Sequence, residues 1–541
     1  MQFLARPFAP KQQVAIAALT FAVIGIGLQW WRLTTLNATY DQGIFLQVLW
    51  NGLSGHPFES TLSSQLSTHV VHAGELPRLG YQRLSQHFTP ILAIWIPFIG
   101  LAGIWALPII QIGLISAAGL MLYKLASIDL NPELAAKISF AFYGANAVVG
   151  PASGNFTDLC QLPLLVFALL YALRTNRHWL TLTCCVLIPL VREDTGVVLA
   201  SVGLWIGIRH PSRRALGVAM VIGGLAWVAI VTNILMPHYG DDNARRFMVS
   251  NFGQFVPGSE RATSLQILQQ ALSQPLILLR ELVSPPIDTI RYLVGQGLPL
   301  LFIPWISIDA WLLTGLPLLG LLLAQGSNDP LSINIRYTFL VVPGLFAGAS
   351  IWWKRRQHHF GSKRLRQIWT GCILLSLLFA ITANQNRGFS FLIPDSVQPW
   401  VYSNPRQQWQ HGMQAREALT VIPKKASVSA NTNLVPLLAD RAVLVRFPNT
   451  TAFQDRQGKP QHVDWVAIDL NRQAFYAEAF SRERSALRKS LGWINKNRSV
   501  YRVQVVRDGV VVMQRNGEEH PEMEAALDQL RAELTTTSTP S

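Results

Sequence analysis

Charge is what this chain has least of. Of its 541 residues only 14% are Asp, Glu, Lys or Arg, and half are hydrophobic. Soluble domains usually carry about 25% charged residues. The deficit excludes a disordered chain, a fibrous repeat and a purely soluble enzyme. Acids are the scarcer sign, 30 against 45 basic residues. Cysteine is nearly missing as well. Cys160, Cys184, Cys185 and Cys372 all lie in apolar stretches, without the paired spacing of a metal site or of a secreted disulfide framework, and read as small core residues. The few charges are also unevenly spread: about a tenth of residues 1–383 are charged, against more than a fifth of residues 384–541.

In place of charge there are long apolar runs. A hydrocarbon core of about 30 Å needs about 20 apolar residues per helix. The first run extends from Val14 to Trp31, behind Arg6 and Lys11 and ending in Trp30-Trp31. That arrangement fits an inside N-terminus and an aromatic belt outside. Its length, with no small-x-small cleavage site after it, marks an uncleaved anchor rather than a signal peptide. Further runs lie near 89–106, 108–126, 134–150, 159–173, 179–191, 195–208, 215–236, 288–307, 309–325, 336–353 and 367–383. Three loops are strongly basic, Arg174 to His178, Arg209 to Arg214 and Lys354 to Arg366. The positive-inside tendency places them in the cytoplasm and so puts residues 32–88, Asn155–Asp158, Arg192–Asp194, 237–287 and the tail outside. The net charge of +15 then records topology, and nucleic acid is not an expected partner. The runs after the first are odd in number, whereas an outward loop and an outward tail need an even number of crossings. Residues 89–150, with Pro97 and Pro108, are where one apparent span is expected to be partial.

Residues 32–88 are the longest polar connection in the first half of the chain, and a loop of that length usually carries function. It holds Asp41-Gln42-Gly43-Ile44-Phe45-Leu46-Gln47-Val48-Leu49-Trp50, then Glu59-Ser60-Thr61, and closes at His87-Phe88-Thr89-Pro90. The 44–53 stretch has helical spacing and is expected to lie flat on the bilayer surface. Asp41 reads equally as a general base or metal-steering group and as a helix N-cap. His69-x-x-His72 has metal-compatible spacing, but no Cys or carboxylate nearby completes a site. No cofactor is expected; a divalent metal is compatible with these residues but not indicated.

Other ionisable groups border the runs. Glu193 and Asp194 follow Arg192, where a charge so near hydrocarbon is usually functional; the alternative is an Arg192 ion pair that closes a hairpin. Asp158 reads similarly, with a capping alternative. Arg245 and Arg246 stand beside Asp241 and Asp242. Arginine pairs hold phosphate bidentately, or the four charges neutralise one another in a solvated loop. Arg336-Tyr337 either anchors a phosphate or marks the interface.

The tail, residues 384–517, reads as a small α/β domain, with strands at Ser427–Ala430, Ala442–Phe447 and Val463–Leu470, short helices at Arg416–Val421 and Leu434–Leu438, and one helix over Ala474–Leu491. Val500–Val506 and Gly509–Met513 pair across Asp508-Gly509, a strong hairpin signal. The tail has no glycine-rich phosphate loop and no nucleophile motif. Residues 518–541 read as a short helix and a disordered finish.

The run Asp41-x-Gly43-Ile44-Phe45-x-Gln47-x-x-Trp50, with Glu59-Ser60-Thr61 and His87-Phe88-x-Pro90, resembles the DUF2079 family of bacterial and archaeal membrane proteins. Arg192-Glu193-Asp194-x-Gly196 looks like that family's acidic pair, and the tail stretches around Ile422-Pro423, Leu437-x-x-x-Arg441 and Phe447-Pro448 are also similar. The likeness spans about residues 40 to 470. It implies a GT-C-like α-helical polytopic membrane protein with about 11–13 transmembrane helices and a small C-terminal α/β domain outside the cytoplasm. It also implies an activity, transfer of a sugar from a polyprenyl-phosphate donor to an outer-face acceptor at the cytoplasmic (inner) membrane. Asp41 would then be the base, with Glu193 or Asp194 assisting by orientation or metal contact. Gln47, Trp50 and His87 would bind substrate, and Arg245, Arg246, Arg336 and Tyr337 would meet the donor phosphate. Many GT-C enzymes carry two adjacent acids where this chain has Asp41-Gln42, which argues against a metal-dependent mechanism. The expected partners are the lipid-linked donor and membrane lipids. The alternative is a transporter or lipid flippase, whose intramembrane charges line a pathway, although no internal repeat of the kind common in transporters is evident. A sensor or scaffold would need far fewer spans.

Overall fold

A computed structural model describes residues 8–70, 74–240, 243–325, 330–384 and 387–537. The chain divides into two compact units. One takes Met1–Gly27, Leu84–Leu92 and Pro108–Gln385; the other takes Leu28–Arg83, Ala93–Leu107 and Asn386–Ser541.

The first unit is helical, as a chain in hydrocarbon must be when its backbone has no water to bond with. Among the described residues of the whole chain, four stretches are long and apolar enough to cross a membrane: Pro10–Thr34, Pro90–Ala126, Pro211–Tyr239 and Lys363–Ala383. His178–Val191, Gly196–Arg209 and Ile308–Leu323 are shorter apolar helices. The apolar runs outnumber the long helices because several runs are joined or cut. Those at 89–106 and 108–126 form one stretch, interrupted at Gly103 (φ +54°). The run at 134–150 is two helices, Pro132–Tyr143 and Asn146–Ala152. The run at 336–353 starts as the 3₁₀ turn Arg336–Leu340 before Val342–Trp353. Proline sits in the first turn of Pro132–Tyr143, Pro286–Gly297 and Val342–Trp353, where its missing N–H costs nothing and starts a new helix.

The surface of this unit is apolar, unlike that of a soluble protein, and some polar side chains are buried within it. Leu19, Ile222 and Leu374 are each at least 60% exposed, whereas Gln111, Ser139, Asn146 and Ser376 are buried and hydrogen-bonded. The Gln111 side chain accepts from Thr157 N–H at 2.9 Å, and Ser376 Oγ accepts from Asn146 N–H at 2.9 Å. Exposed apolar area of this extent is an interaction surface, and here it lies on helices that include the membrane-length ones. Cys160 and Cys184 are buried and Cys185 and Cys372 half-buried, all four as free thiols.

The second unit is built on a five-stranded sheet. Its strands are β1 (Val428–Ala430), β2 (Leu444–Arg446), β3 (Trp465–Asp469), β4 (Tyr501–Arg507) and β5 (Val510–Arg515), in the order β2-β1-β3-β5-β4. β1 is parallel to β2 and β3, while β5 is antiparallel to β3 and β4. The β4–β5 hairpin turns at Asp508 (φ +47°) and Gly509 (φ +75°), the left-handed pair that a two-residue turn of this hand requires. Val466, Ile468, Val503, Val511 and Met513 form the core with Leu487, Ile494 and Leu527. Leu527 belongs to the helix Pro521–Thr537, so this end segment is part of the core. The single helix expected over Ala474–Leu491 is two, Leu470–Ala477 and Ser481–Asn497. The chain breaks between them where Phe480 turns its ring to Tyr476 and the Arg387 guanidinium.

Residues 44–53, expected to lie flat on the bilayer surface, are instead packed inside this unit. The helix Tyr40–Leu53 is buried on nearly every face. Thr61 Oγ1 donates to Leu444 O at 2.7 Å and accepts from Leu444 N–H at 3.0 Å, capturing the edge strand β2. Leu79 N–H and Gln454 O meet at 2.8 Å, and Gln454 N–H donates back to Pro77 O. One division between the compact units, at Gln385/Asn386, falls beside the compositional boundary near residue 383, and the second unit adds Leu28–Arg83 and Ala93–Leu107 to the tail.

Gly43 shows how close this packing is. A Cβ there would lie 2.3 Å from Val435 Cγ1 and 3.5 Å from the Val435 carbonyl carbon, and Val435 is fully buried with a stiff β-branched side chain. Ala would gain about 1 kcal/mol of helix propensity, but overpacking costs about 1–3 kcal/mol and wins. Gly43→Ala is expected to lower the thermal-shift midpoint of the full chain; an unchanged or raised midpoint would show that Val435 yields.

Candidate functional site

The strongest constellation in the first unit forms where the helix His178–Val191 ends. Arg192 is extended (φ −163°), and Thr195 closes the turn, donating its hydroxyl to Ile188 O at 2.6 Å and accepting from Arg192 N–H at 3.3 Å. The turn sends its two acids to different partners. Asp194 takes a bidentate pair from Arg192, with Nε to Oδ1 at 2.8 Å. Arg192 is 4% exposed and lies 5.3 Å from the Tyr337 ring centroid, the same distance as Arg336. Glu193 accepts from His87 Nδ1 and from Phe88 N–H, both at 2.9 Å. Burial pushes the Glu193 carboxyl up, but His87 and Arg192 outweigh it and hold the group below its usual range. Glu193 therefore stays ionised and fixes the tautomer of His87 with the proton on Nδ1. His87 Nε2 has no hydrogen-bond partner among the described residues.

Residues beside His87 that the sequence did not single out reinforce this position. Both amide atoms of Gln86 and the Thr89 hydroxyl are buried without a hydrogen-bond partner among the described residues. Such orphans are rare in folded chains and mark places where water or a ligand completes the bonding. Only their adjacency to His87 pointed to them. The helix Asn243–Phe252, which carries Arg245 and Arg246, is tied to the same segment. Asn243 Nδ2 donates to Ser85 Oγ at 3.1 Å, and the Phe247 ring is 6.4 Å from that of His87. Asp241 and Asp242 lie outside the described residues. Asp158 is buried, and its Oδ1 accepts from Leu159 N–H at 2.9 Å, while Thr157 is the helix cap.

Asp41 belongs to the second unit, whereas Glu193 and Asp194 belong to the first. It stands in the first turn of the helix Tyr40–Leu53, whose N-cap is Thr39, so the capping reading of Asp41 does not hold. Arg446, stacked 4.8 Å over the neighbouring Tyr40 ring, is within electrostatic reach of Asp41. Gln47 is fully buried. Its Nε2 donates to Thr61 Oγ1 and Arg441 O, each at 3.1 Å, and its Oε1 accepts from Ser60 Oγ at 2.7 Å and Leu62 N–H at 3.1 Å. With its amide fully occupied, Gln47 is placed as a brace between the motif and the tail. Trp50 is half-buried on the same helix. The Glu59 carboxylate pairs with Arg456, Oε2 to Nη2 at 2.7 Å. The His69 side chain and His72 lie outside the described residues. Among the described residues no three His, Cys, Asp or Glu side chains converge as metal ligands.

No curated protein matches this chain. A family model described as "Predicted membrane protein (DUF2079)" matches residues 32–512, from ahead of the Asp41 motif into the strand β5. With most of its length covered by that match and with membrane-length apolar helices, the chain belongs to the DUF2079 family of membrane proteins.

Proposed function

We propose that this protein is a GT-C-type glycosyltransferase of the cytoplasmic membrane, with its tail outside the cytoplasm, that moves a sugar from a polyprenyl-phosphate donor to an outer-face acceptor. The observation that carries the reading is the His87–Glu193 pair, a histidine oriented by a buried carboxylate beside unpartnered polar groups. In the proposed step, His87 Nε2 takes the proton of the acceptor hydroxyl as its oxygen attacks the anomeric carbon. The bond from that carbon to the phosphate oxygen breaks, and polyprenyl phosphate leaves with the electron pair. Glu193 stabilises the imidazolium so formed, as the orienting acid does in other base–carboxylate pairs. Arg245 and Arg246, or Arg336, balance the phosphate charge. The reading moves the base from Asp41 to His87, because the Glu193–His87 geometry leaves a ring nitrogen available and Asp41 sits beside the Arg446 cation.

The test is transfer of radiolabelled sugar from a panel of polyprenyl-phosphate hexoses in proteoliposomes. General-base removal costs about 10²–10⁴-fold, so His87→Ala and Glu193→Gln are expected to lose at least about a hundredfold, and Asp41→Asn to stay within about tenfold. Undiminished transfer by His87→Ala, or lipid translocation without transfer by the wild-type protein, would overturn the proposal, the latter in favour of a flippase.

A further inference from the structure

The second unit contains a cavity of about 590 Å³ that no sequence motif announced. One wall is the helix Pro405–Leu419, which brings Gln407, Gln410, His411 and Gln414 to one side at helical spacing. The facing wall is the start of the helix Leu470–Ala477, with Arg472 and Phe475, and the turn residue Asp508. His411 is clamped between two acids, Nε2 to Asp469 Oδ2 at 3.0 Å and Nδ1 to Asp508 Oδ2 at 2.7 Å. Asp469 is completely buried, accepts from Asn433 Nδ2 at 2.6 Å and caps its helix through Arg472 N–H at 2.8 Å. The Arg472 guanidinium grips Asn37 Oδ1 with both terminal nitrogens at 3.2 Å.

His411 and its two acids are thus paired within the unit, and Arg472 is held by the neutral Asn37 amide and stacked 5.0 Å from the Tyr476 ring centroid. Two neutral amides are left for a ligand. The side-chain amides of Gln410 and Gln414 have no partner among the described residues, and the Phe475 ring is 38% exposed. We propose that this cavity binds an uncharged saccharide. A primary amide both donates and accepts, as a sugar hydroxyl does. An exposed aromatic face, negative at its centre, suits the weakly positive C–H face of a pyranose ring. A phosphate or carboxylate ligand would have to pull His411 from its two acids or lie beside the Asp508 carboxylate, and a purely apolar one would leave the amides unbonded. The volume falls in the range of small-molecule sites, about 300–1,000 Å³. The double clamp on His411 holds the helix that carries Gln410 and Gln414, so that wall is in place before a ligand arrives. The site stands whether or not the first unit transfers sugar.

The experiment is saturation-transfer NMR on the full chain in lipid nanodiscs free of sugar detergents, with maltotriose, cellotriose, mannotriose and chitotriose as probes. Glucuronate and inorganic phosphate serve as competitors. At least one neutral probe is expected to bind. Phe475→Ala and Gln414→Ala should each weaken it tenfold or more with unchanged circular dichroism, while Glu193→Gln binds as wild type. The proposal is overturned if no probe binds, if both cavity variants bind within threefold of wild type, or if either anion displaces the sugar. Loss of transfer by Glu193→Gln with retained binding keeps this test separate from that of the catalytic reading.

Discussion

Replacing Asp469 with Ala is expected to destabilise the second unit by about 3–5 kcal/mol, the usual cost of removing one partner of a buried ion pair. Three dependencies meet on this carboxylate. It is the hydrogen-bonded counter-ion of His411, it accepts from Asn433, and it caps the helix Leu470–Ala477. A lost cap alone costs about 1 kcal/mol, so the larger share comes from leaving the His411 imidazolium with Asp508 as its one remaining acid. Hydrogen exchange should show the loss in β3 and its following helix while the first unit stays protected; native-like protection in β3 would show that Asp508 alone suffices to hold His411.

The same pair sets a pH dependence. Burial pushes the His411 ring down, but Asp469 and Asp508 outweigh it and raise the group from 6.5 to about 9. A raised folded value means that the contribution is fully present below about 6.5 and is lost as pH rises through about 9. A shift of this size corresponds to about 3 kcal/mol, an alternative accounting of the same pair and not an addition to it. Asp469 itself is buried, which raises its carboxyl, yet His411 and Arg472 hold it below the usual range. Its contribution is therefore present above about 4 and falls away in acid. Between pH 6.5 and 9 the unit should weaken in the wild-type protein, and His411→Gln should flatten that slope. Parallel slopes in the two proteins would remove His411 from this role.

Asp194→Ala is the second large effect, about 3 kcal/mol in the first unit. It leaves the almost fully buried Arg192 guanidinium without its bidentate partner. The estimate sits at the low end of the range for a broken buried pair because Arg192 keeps the Tyr337 ring and the nearby charges of Asp158 and Glu193. Replacing both members, Arg192→Met with Asp194→Leu, should recover most of the loss, since a well-packed apolar pair is often as stable as the ion pair it replaces. Thermal-shift midpoints of the single and double variants test this directly. A single variant as stable as wild type but inactive in transfer would make Asp194 part of the chemistry instead of an anchor for the turn.

Much of the molecule is legible from local pattern. The apolar runs identify membrane helices because hydrocarbon demands length and hydrophobicity from each segment on its own. The Asp508-Gly509 hairpin is legible because its turn depends on two adjacent backbone conformations. Helical spacing also marked residues 44–53 as a helix, but a period of 3.6 reports a face and not what covers that face. Protein covers it: the motif segment around this helix is braced to Arg441 and Leu444, nearly four hundred residues along the chain. The pairing of His87 with Glu193 spans 106 residues, and that of His411 with Asp469 and Asp508 spans 58 and 97. By itself the sequence determined that this is a polytopic membrane protein with an α/β tail and few acids in its apolar part. Only the tertiary structure decided which histidine each acid meets and that residues 28–83 fold with the tail, because those outcomes depend on long-range packing and desolvation, which leave no local period to read.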